Sequence, residues 1–312
     1  MKIGVIKPDY PFEKRVAVLP QHILNSRNTI IIEESFGENL KISDEEYQNS
    51  GAIITSREEI FKSCDVIFSL KLLQPSDYKF LREGQTIVGW THPNGSGKKF
   101  MTEQAIPKKL KIIDLDNIFP KIFYLNKSVL IDFIKPNFIY KNSFNAGLSA
   151  VMHAIVSFGL LPNSNTKVAI LSMGNVSQGA LSVINKFNTE TRVFYRKTMN
   201  DFYKNISYFD IIINGIEVDN PKNHIITKKQ LLKTKKGCFL IDAAADAGNA
   251  IEGTRYTSIK EPIYEENDRF FYVVNNAPSI FYRTSSEDVS KAFSEVFFNE
   301  DFSKFQKLID SI

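Results

Sequence analysis

Four polar side chains stand at expected strand ends or turns of this sequence. Arg15 lies in PFEKRVAVLP, and Lys71 follows FSL in FSLKLLQP. His92 follows TIVGW in GWTHPNGSG, and Asp246 lies in the small-residue stretch IDAAADAGNAIEG. In α/β proteins ligands gather outside the carboxyl ends of strands, so residues at such places are the ones that reach a crevice. Their types suit work on a ketoacid. An arginine holds a carboxylate bidentately, a lysine sits beside a carbonyl, and a histidine moves protons near neutral pH. Each also has an ordinary reading: Arg15 as a surface cation, Lys71 as a lysine snorkelling from a strand end, His92 as a turn former, Asp246 as a loop cap. His22, His153 and His224 share no metal-ligand spacing and read as structural or surface residues, so no metal is expected.

A second signal lies in VAILSMGNVSQGALSVINKF, where a strand pattern runs into a helix pattern. A dinucleotide turn needs little side chain where backbone meets pyrophosphate, and N–H groups of a helix start to hold it. Read as GxGxxG, the slots are Ser172, Gly174 and Ser177, so only the central glycine is present. Gly179 and Ala180 are expected to let the helix sit close on its strand. The expected cofactor set is Ser172, Met173, Gly174, Asn175 and Val176 in the turn, with Asn214 and Gly215 at the end of DIIING. An ordinary strand–helix turn without a ligand is the alternative.

The next strand ends in Arg196-Lys197-Thr198, 22 residues past Gly174 and without an acid. An NAD site would place an Asp or Glu there for the ribose hydroxyl. Two cations instead favour the 2′-phosphate of NADP(H), unless they are a solvated surface pair.

The elements that must position these residues alternate along the chain. Candidate strands are residues 2–6, 29–35, 52–55, 65–70, 86–90 and 111–117, and the rhythm restarts with 167–172, 192–196, 210–215, 238–244 and 271–276. Ser43 and Glu46 form a capping box, Pro75-Ser76-Asp77 opens another helical stretch, and Ser285 with Asp288 resembles a third start. The pattern predicts an α/β fold of two Rossmann-like domains with mostly parallel sheets and an interdomain cleft. Residues 1–140, joined by the C-terminal helices 285–312, form the expected substrate domain; residues 141–284 form the expected NADP-binding domain. Val289, Phe293, Val296 and Phe297 recur at helical spacing, so the tail must dock its apolar face, expectedly on the first domain.

Composition bounds the rest. The chain has 312 residues, 43% of them hydrophobic and 24% charged, with a net charge of +4. That balance argues against nucleic acid or an anionic membrane as partner. Cys64 and Cys238 form no CxxC pair, which fits a reducing cytoplasm. Lys7 and Pro8 interrupt any signal-peptide run, and no stretch reaches the roughly 18 apolar residues of a membrane span.

The segments SLKLLQP, EGQTIVGWTHPNGSG, EQAIPKKL, YRKTM, DIIINGIE and DAAADAGNAIEGTRYTSI together resemble the alanine dehydrogenase, saccharopine dehydrogenase and transhydrogenase superfamily. Within it the chain is similar to the N(5)-(carboxyethyl)ornithine synthase family over nearly its whole length. That resemblance implies a carboxylate-binding role for Arg15, a carbonyl-side role for Lys71, acid/base work for His92, an orienting role for Asp246 and a place beside the nicotinamide for Asn276. It implies NADPH-dependent joining of pyruvate to the side-chain amine of ornithine, with lysine as an option, by a homo-oligomer. The alternatives are reductive amination of pyruvate with ammonia, as in an alanine dehydrogenase, and a non-catalytic NADP-binding sensor. The family pattern has glycine where Ser172 stands, which bears on cofactor affinity.

Overall fold

A computed structural model describes residues 1–312 apart from Asn25, Asp219 and Pro221. The chain divides into two units, one made of Met1–Ile139 with Arg283–Ile312, the other of Tyr140–Tyr282.

The first unit is built on β1 (Lys2–Ile6), β2 (Thr29–Glu33), β3 (Ile53–Thr55), β4 (Val66–Ser69), β5 (Thr86–Gly89), β6 (Lys111–Asp114), β7 (Lys121–Tyr124) and β8 (Lys127–Leu130). Their order is β3-β2-β1-β4-β5-β6-β7-β8. The first six run parallel and the last two are antiparallel additions. Strands β1, β4 and β5 are buried almost throughout, as a sheet covered on both faces demands of its centre. The chain reverses its direction of travel between β1 and β4. Loops leaving those two strands therefore diverge and open a crevice at their carboxyl ends.

The C-terminal segment completes this unit. Phe293, Phe297 and Phe298 pack around Phe68 of β4 with centroid distances of 5.0, 5.6 and 4.8 Å. All three rings are buried, and burying each contributes about 2–3 kcal/mol. The helix Tyr282–Phe293 begins before Ser285, so Ser285 lies inside it, fully buried, and is not the N-cap expected from the sequence. Its serines hold another segment instead. Ser286 Oγ accepts from the N–H of Val16 at 3.0 Å, and Ser290 Oγ accepts from the N–H of Leu19 at 2.7 Å.

The second unit carries β9 (Lys167–Leu171), β10 (Glu190–Phe194), β11 (Ile211–Asn214), β12 (Phe239–Asp242), β13 (Ala247–Gly248), β14 (Ile251–Glu252), β15 (Ile263–Glu266) and β16 (Arg269–Tyr272). Six of them form a sheet in the order β10-β9-β11-β12-β16-β15, all parallel except β15, while β13 and β14 pair separately. One face buries Ile170, Ile213, Phe239 and Ile241 under the helices Tyr140–Phe158 and Asn175–Ile184. The other buries Leu171, Phe202, Phe209 and Leu240.

The two helices touch through glycines. A Cβ on Gly147 would lie 1.7 Å from the carbonyl oxygen of Val176, and one on Gly179 would lie 1.9 Å from that of Phe144. Gly179 thus brings its helix against the neighbouring helix, not against the strand as the sequence suggested. The hairpin β7–β8 is also new, because LNK carries none of the glycine turn signals that announce a hairpin.

Gly147→Ala should force the helices apart. We expect a loss of about 1–3 kcal/mol, seen as a fall of several degrees in thermal midpoint. An unchanged melting profile would show that this contact yields freely.

Candidate functional site

In the first unit the loop after β1 turns Glu13 and Arg15 inward. Arg15 is 2% exposed, so it is not a surface cation. Its Nε donates to Glu13 Oε1 at 2.8 Å and its Nη2 to Glu13 Oε2 at 2.7 Å. The same Oε2 lies 4.0 Å from the Nζ of Lys71, which leaves the end of β4. Trp90, just past β5, lies beneath both cations: its ring centroid is 5.0 Å from the Arg15 guanidinium and 5.3 Å from Lys71 Nζ. Tyr10 stands 5.2 Å from the same ammonium.

Electrostatics follow from this crowding. Burial would raise the Glu13 carboxyl, but Arg15 and then Lys71 overcome it and hold it at about 2, against an ordinary 4.5. That preference for the ionised form amounts to about 3 kcal/mol. Lys71 moves the other way. Burial and the charge of Arg15 bring it down to about 8, with Glu13 and Asp116 opposing. Two cations and one anion leave a net positive charge suited to one carboxylate.

His92 sits on the loop after β5 in a left-handed conformation, φ 44°. Its backbone is clamped on both sides. The N–H and Oγ1 of Thr91 donate to Asp114 Oδ1 at 3.1 and 3.0 Å, and the His92 carbonyl accepts from Gly95 and Gly97, each at 3.0 Å. Such a conformation persists only where neighbours enforce it. The ring is 3.0 Å from Asp116 Oδ2 through Nδ1. A carboxylate on Nδ1 keeps the proton there and leaves Nε2 to exchange protons. Burial disfavours the imidazolium, yet Asp116 and the charge of Asp114 outweigh it and raise His92 above its usual value.

In the second unit the turn after β9 is unlike a glycine turn. Ser172 takes φ 80° and supports it with its own hydroxyl. Gly174 N–H donates to Ser172 Oγ at 3.2 Å, Ser172 Oγ meets Ser177 Oγ at 2.9 Å, and Ser177 Oγ donates to the Leu171 carbonyl at 2.9 Å. Asn175 and Val176 open the helix after Gly174, while Met173 is exposed beside them. Gly215 is required across from this turn, because a Cβ there would lie 2.1 Å from Ser177 Oγ. Bare backbone beside a helix start could hold the phosphates of a dinucleotide. Arg196 and Lys197 stand exposed just past β10.

Beyond β11 and β12, Asn214 Nδ2 donates to Asp242 Oδ1 at 2.9 Å and to the Ile216 carbonyl at 2.9 Å. Burial and the neighbouring Asp246 push the Asp242 carboxyl up to about 7. Asp246 accepts from Asn249 Nδ2 at 2.7 Å and from the Val218 N–H at 3.0 Å, so its carboxylate orders the loop that carries it. Asn276, buried and with φ 69°, starts the short helix Ala277–Ser279. Of the residues singled out by sequence, Arg15, Lys71 and His92 thus gather in the first unit. Asp246, Asn276 and the turn residues belong to the second.

Two family profiles cover most of this sequence: alanine dehydrogenase/PNT, N-terminal domain, over residues 4–121, and alanine dehydrogenase/PNT, C-terminal domain, over residues 150–307. This chain belongs to the alanine dehydrogenase/PNT family. It is 54% identical to N(5)-(carboxyethyl)ornithine synthase of Clostridium botulinum, over 100% of this chain and 98% of that protein. Identity to the protein of the same name from Lactococcus lactis subsp. lactis strain IL1403 is 50%, over 98% of each. The fold is that of a solved L-alanine dehydrogenase, with a TM-score of 0.80, 19% identity and coverage of 98% of this chain and 92% of that one. Like other members of the alanine dehydrogenase/PNT family, this enzyme binds a nicotinamide cofactor.

Sequence reasoning missed three members of the first-unit cluster. Glu13 and Trp90 escaped notice, although Glu13 is only two residues before Arg15. Asp116 was absorbed into a strand expected over 111–117, but β6 ends at Asp114. The signal available was the pair Asp114 and Asp116, acids in a run otherwise apolar.

Asp116→Asn should remove what keeps His92 charged, leaving burial to lower its titration. We expect the deprotonation limb of a pH–rate profile, and the NMR titration of His92, to move to lower pH. Protonated His92 would then be lost at lower pH than in the parent protein. An unmoved titration would dissolve the pairing.

Proposed function

We propose that this protein catalyses the NADPH-dependent reductive condensation of pyruvate with the side-chain amine of L-ornithine. The observation that carries this reading is one cluster in which Arg15 and Glu13 are buried and Lys71, His92 and Asp116 partly so, net positive when the proton-exchanging imidazole is charged. Full-length identity of 54% to a named N(5)-(carboxyethyl)ornithine synthase supports the choice of amine over ammonia.

Arg15, held by Glu13, receives the pyruvate carboxylate, and the Lys71 ammonium polarises the ketone oxygen. The amine of ornithine adds to C2 as its free base. Nε2 of protonated His92 then gives a proton to the departing hydroxyl, and water leaves as the carbon–nitrogen double bond forms. Asp116 stabilises the imidazolium beforehand, so the acid is present near neutral pH. General acid help of this kind contributes typically 10²–10⁴-fold. Bound NADPH supplies the hydride that reduces the imine. Ser172, Met173, Gly174, Asn175 and Val176 would hold its pyrophosphate, Asn214, Gly215 and Asn276 its nicotinamide end, and Arg196 with Lys197 its 2′-phosphate. Asp246 keeps the loop after β12 in order for that binding. The protein acts on small molecules in the cytoplasm as a homo-oligomer.

The test is oxidation of NADPH with pyruvate and, in turn, ornithine, lysine and ammonia, with product masses. Turnover should need ornithine or lysine. Turnover with ammonia alone would replace this reading by an alanine dehydrogenase reaction.

Coenzyme choice is tested separately. Arg196 and Lys197 are both exposed just past β10, so both can meet a phosphate. A charge-assisted contact contributes about 1.5–3 kcal/mol, or about 10–100-fold in preference. Arg196→Asp should shift the ratio of specificity constants toward NADH by at least that factor, since it adds repulsion as well. A parent protein that prefers NADH, or a ratio that does not move, would show that this strand end does not read the phosphate.

A further inference from the structure

A pocket that condenses a ketoacid with the end of a linear diamine already contains such an end. Lys71 presents a primary amine on a four-carbon chain, one methylene longer than the ornithine side chain. It does so inside the pocket: Glu13 Oε2 lies 4.0 Å from Lys71 Nζ and 2.7 Å from Arg15 Nη2, so the two cations share it. A carboxylate anchored at Arg15 therefore brings the neighbouring ketone carbon within reach of Nζ. The rings of Trp90 and Tyr10 lie near the amine, at 5.3 and 5.2 Å.

We propose that Lys71 is a modification site. When ketoacid and hydride donor are present without an amino acid, the enzyme carboxyethylates its own lysine. The inference rests on the pyruvate reading above. In the step, the Nζ lone pair attacks C2 of pyruvate, and the ketone oxygen takes a proton to give a carbinolamine. Loss of water with a second proton gives the imine, and one hydride to C2 gives a secondary amine. The reductant is a dihydronicotinamide or, in the test, borohydride. The product, N6-(1-carboxyethyl)lysine, adds about 72 Da and places a new carboxylate on Lys71.

Glu13 is the guard against this side reaction. Its negative charge favours the ammonium form of Lys71, which cannot attack. Of the other groups facing Nζ, Arg15 works against that protection and Asp116 adds to it, while Tyr10 and, when charged, His92 also stand near. With Lys71 at about 8, the attacking form becomes abundant between pH 7 and pH 9. A bound amino-acid substrate would protect by consuming the ketoacid.

The experiment uses the whole protein with pyruvate and sodium borohydride at pH 7 and pH 9, followed by intact mass and peptide mapping. Lys71 should gain about 72 Da at least about tenfold faster than solvent-exposed lysines such as Lys236, and faster at pH 9 than at pH 7. Lys71→Arg should abolish the fast adduct, and Glu13→Gln should speed it at pH 7. Should Glu13→Gln fail to fold, the pH comparison on the unaltered protein decides. Modification of Lys71 no faster than of Lys236 overturns the proposal. Turnover with ornithine, run in parallel without borohydride, separates the two readings. Turnover with an inert Lys71 sinks this inference alone, and a trapped Lys71 without turnover leaves the ketoacid pocket standing while the amine assignment fails.

Discussion

One carboxylate organises the first unit. Glu13 takes both donors of one edge of Arg15, both side chains out of contact with solvent, and faces the half-buried Lys71 as well. Without it two buried cations would repel one another in a medium that screens poorly, and an unpaired buried charge costs several kcal/mol. With it they stand close enough to treat one small anion as a shared ligand. Trp90 carries the arrangement into the core: its ring meets the cations and packs on Phe293, 5.8 Å away, so the charged cluster rests on the aromatic layer beneath β4 and β5.

The two units solve the same problem with different chemistry. Each opens a crevice where its parallel sheet changes direction, between β1 and β4 in one and between β9 and β11 in the other. The first lines that edge with ionised side chains fixed by one another. The second lines it with bare backbone, a helix start and a chain of hydroxyls. Ser172 shows how a side chain can occupy a glycine slot: its hydroxyl accepts the Gly174 N–H and reaches Ser177, which offsets the strain of its left-handed backbone.

Much of this could be read before any coordinates. Apolar runs that end near Lys71 and His92 reveal strand ends, Arg15 follows the first strand, and strand ends reveal the crevice. The strand–turn–helix at 167–184 was readable for the same reason, since period and punctuation are local. What escaped depends on contacts between distant segments. Glu13, inside the charged run EKR, looks like part of a solvated loop until the sheet buries it. Asp116 looks like strand until β6 stops two residues earlier. Gly179 has the spacing of a residue facing its own strand, and only the helix carrying Gly147 shows where it packs. Ser285 resembles a cap because caps and small buried serines have the same local sequence.

The serines of the helix Tyr282–Phe293 have a consequence in time. Val16 and Leu19, flanking the Arg15 segment, give their N–H groups to Ser286 and Ser290, partners about 270 residues away. At roughly 5–20 residues per second of synthesis, that segment leaves the ribosome some tens of seconds before its partners do. The second unit, continuous from Tyr140 to Tyr282, is by then complete and free to fold. The charged cluster around Arg15, although encoded at the front of the message, can be completed only once the last helices of the chain have been made.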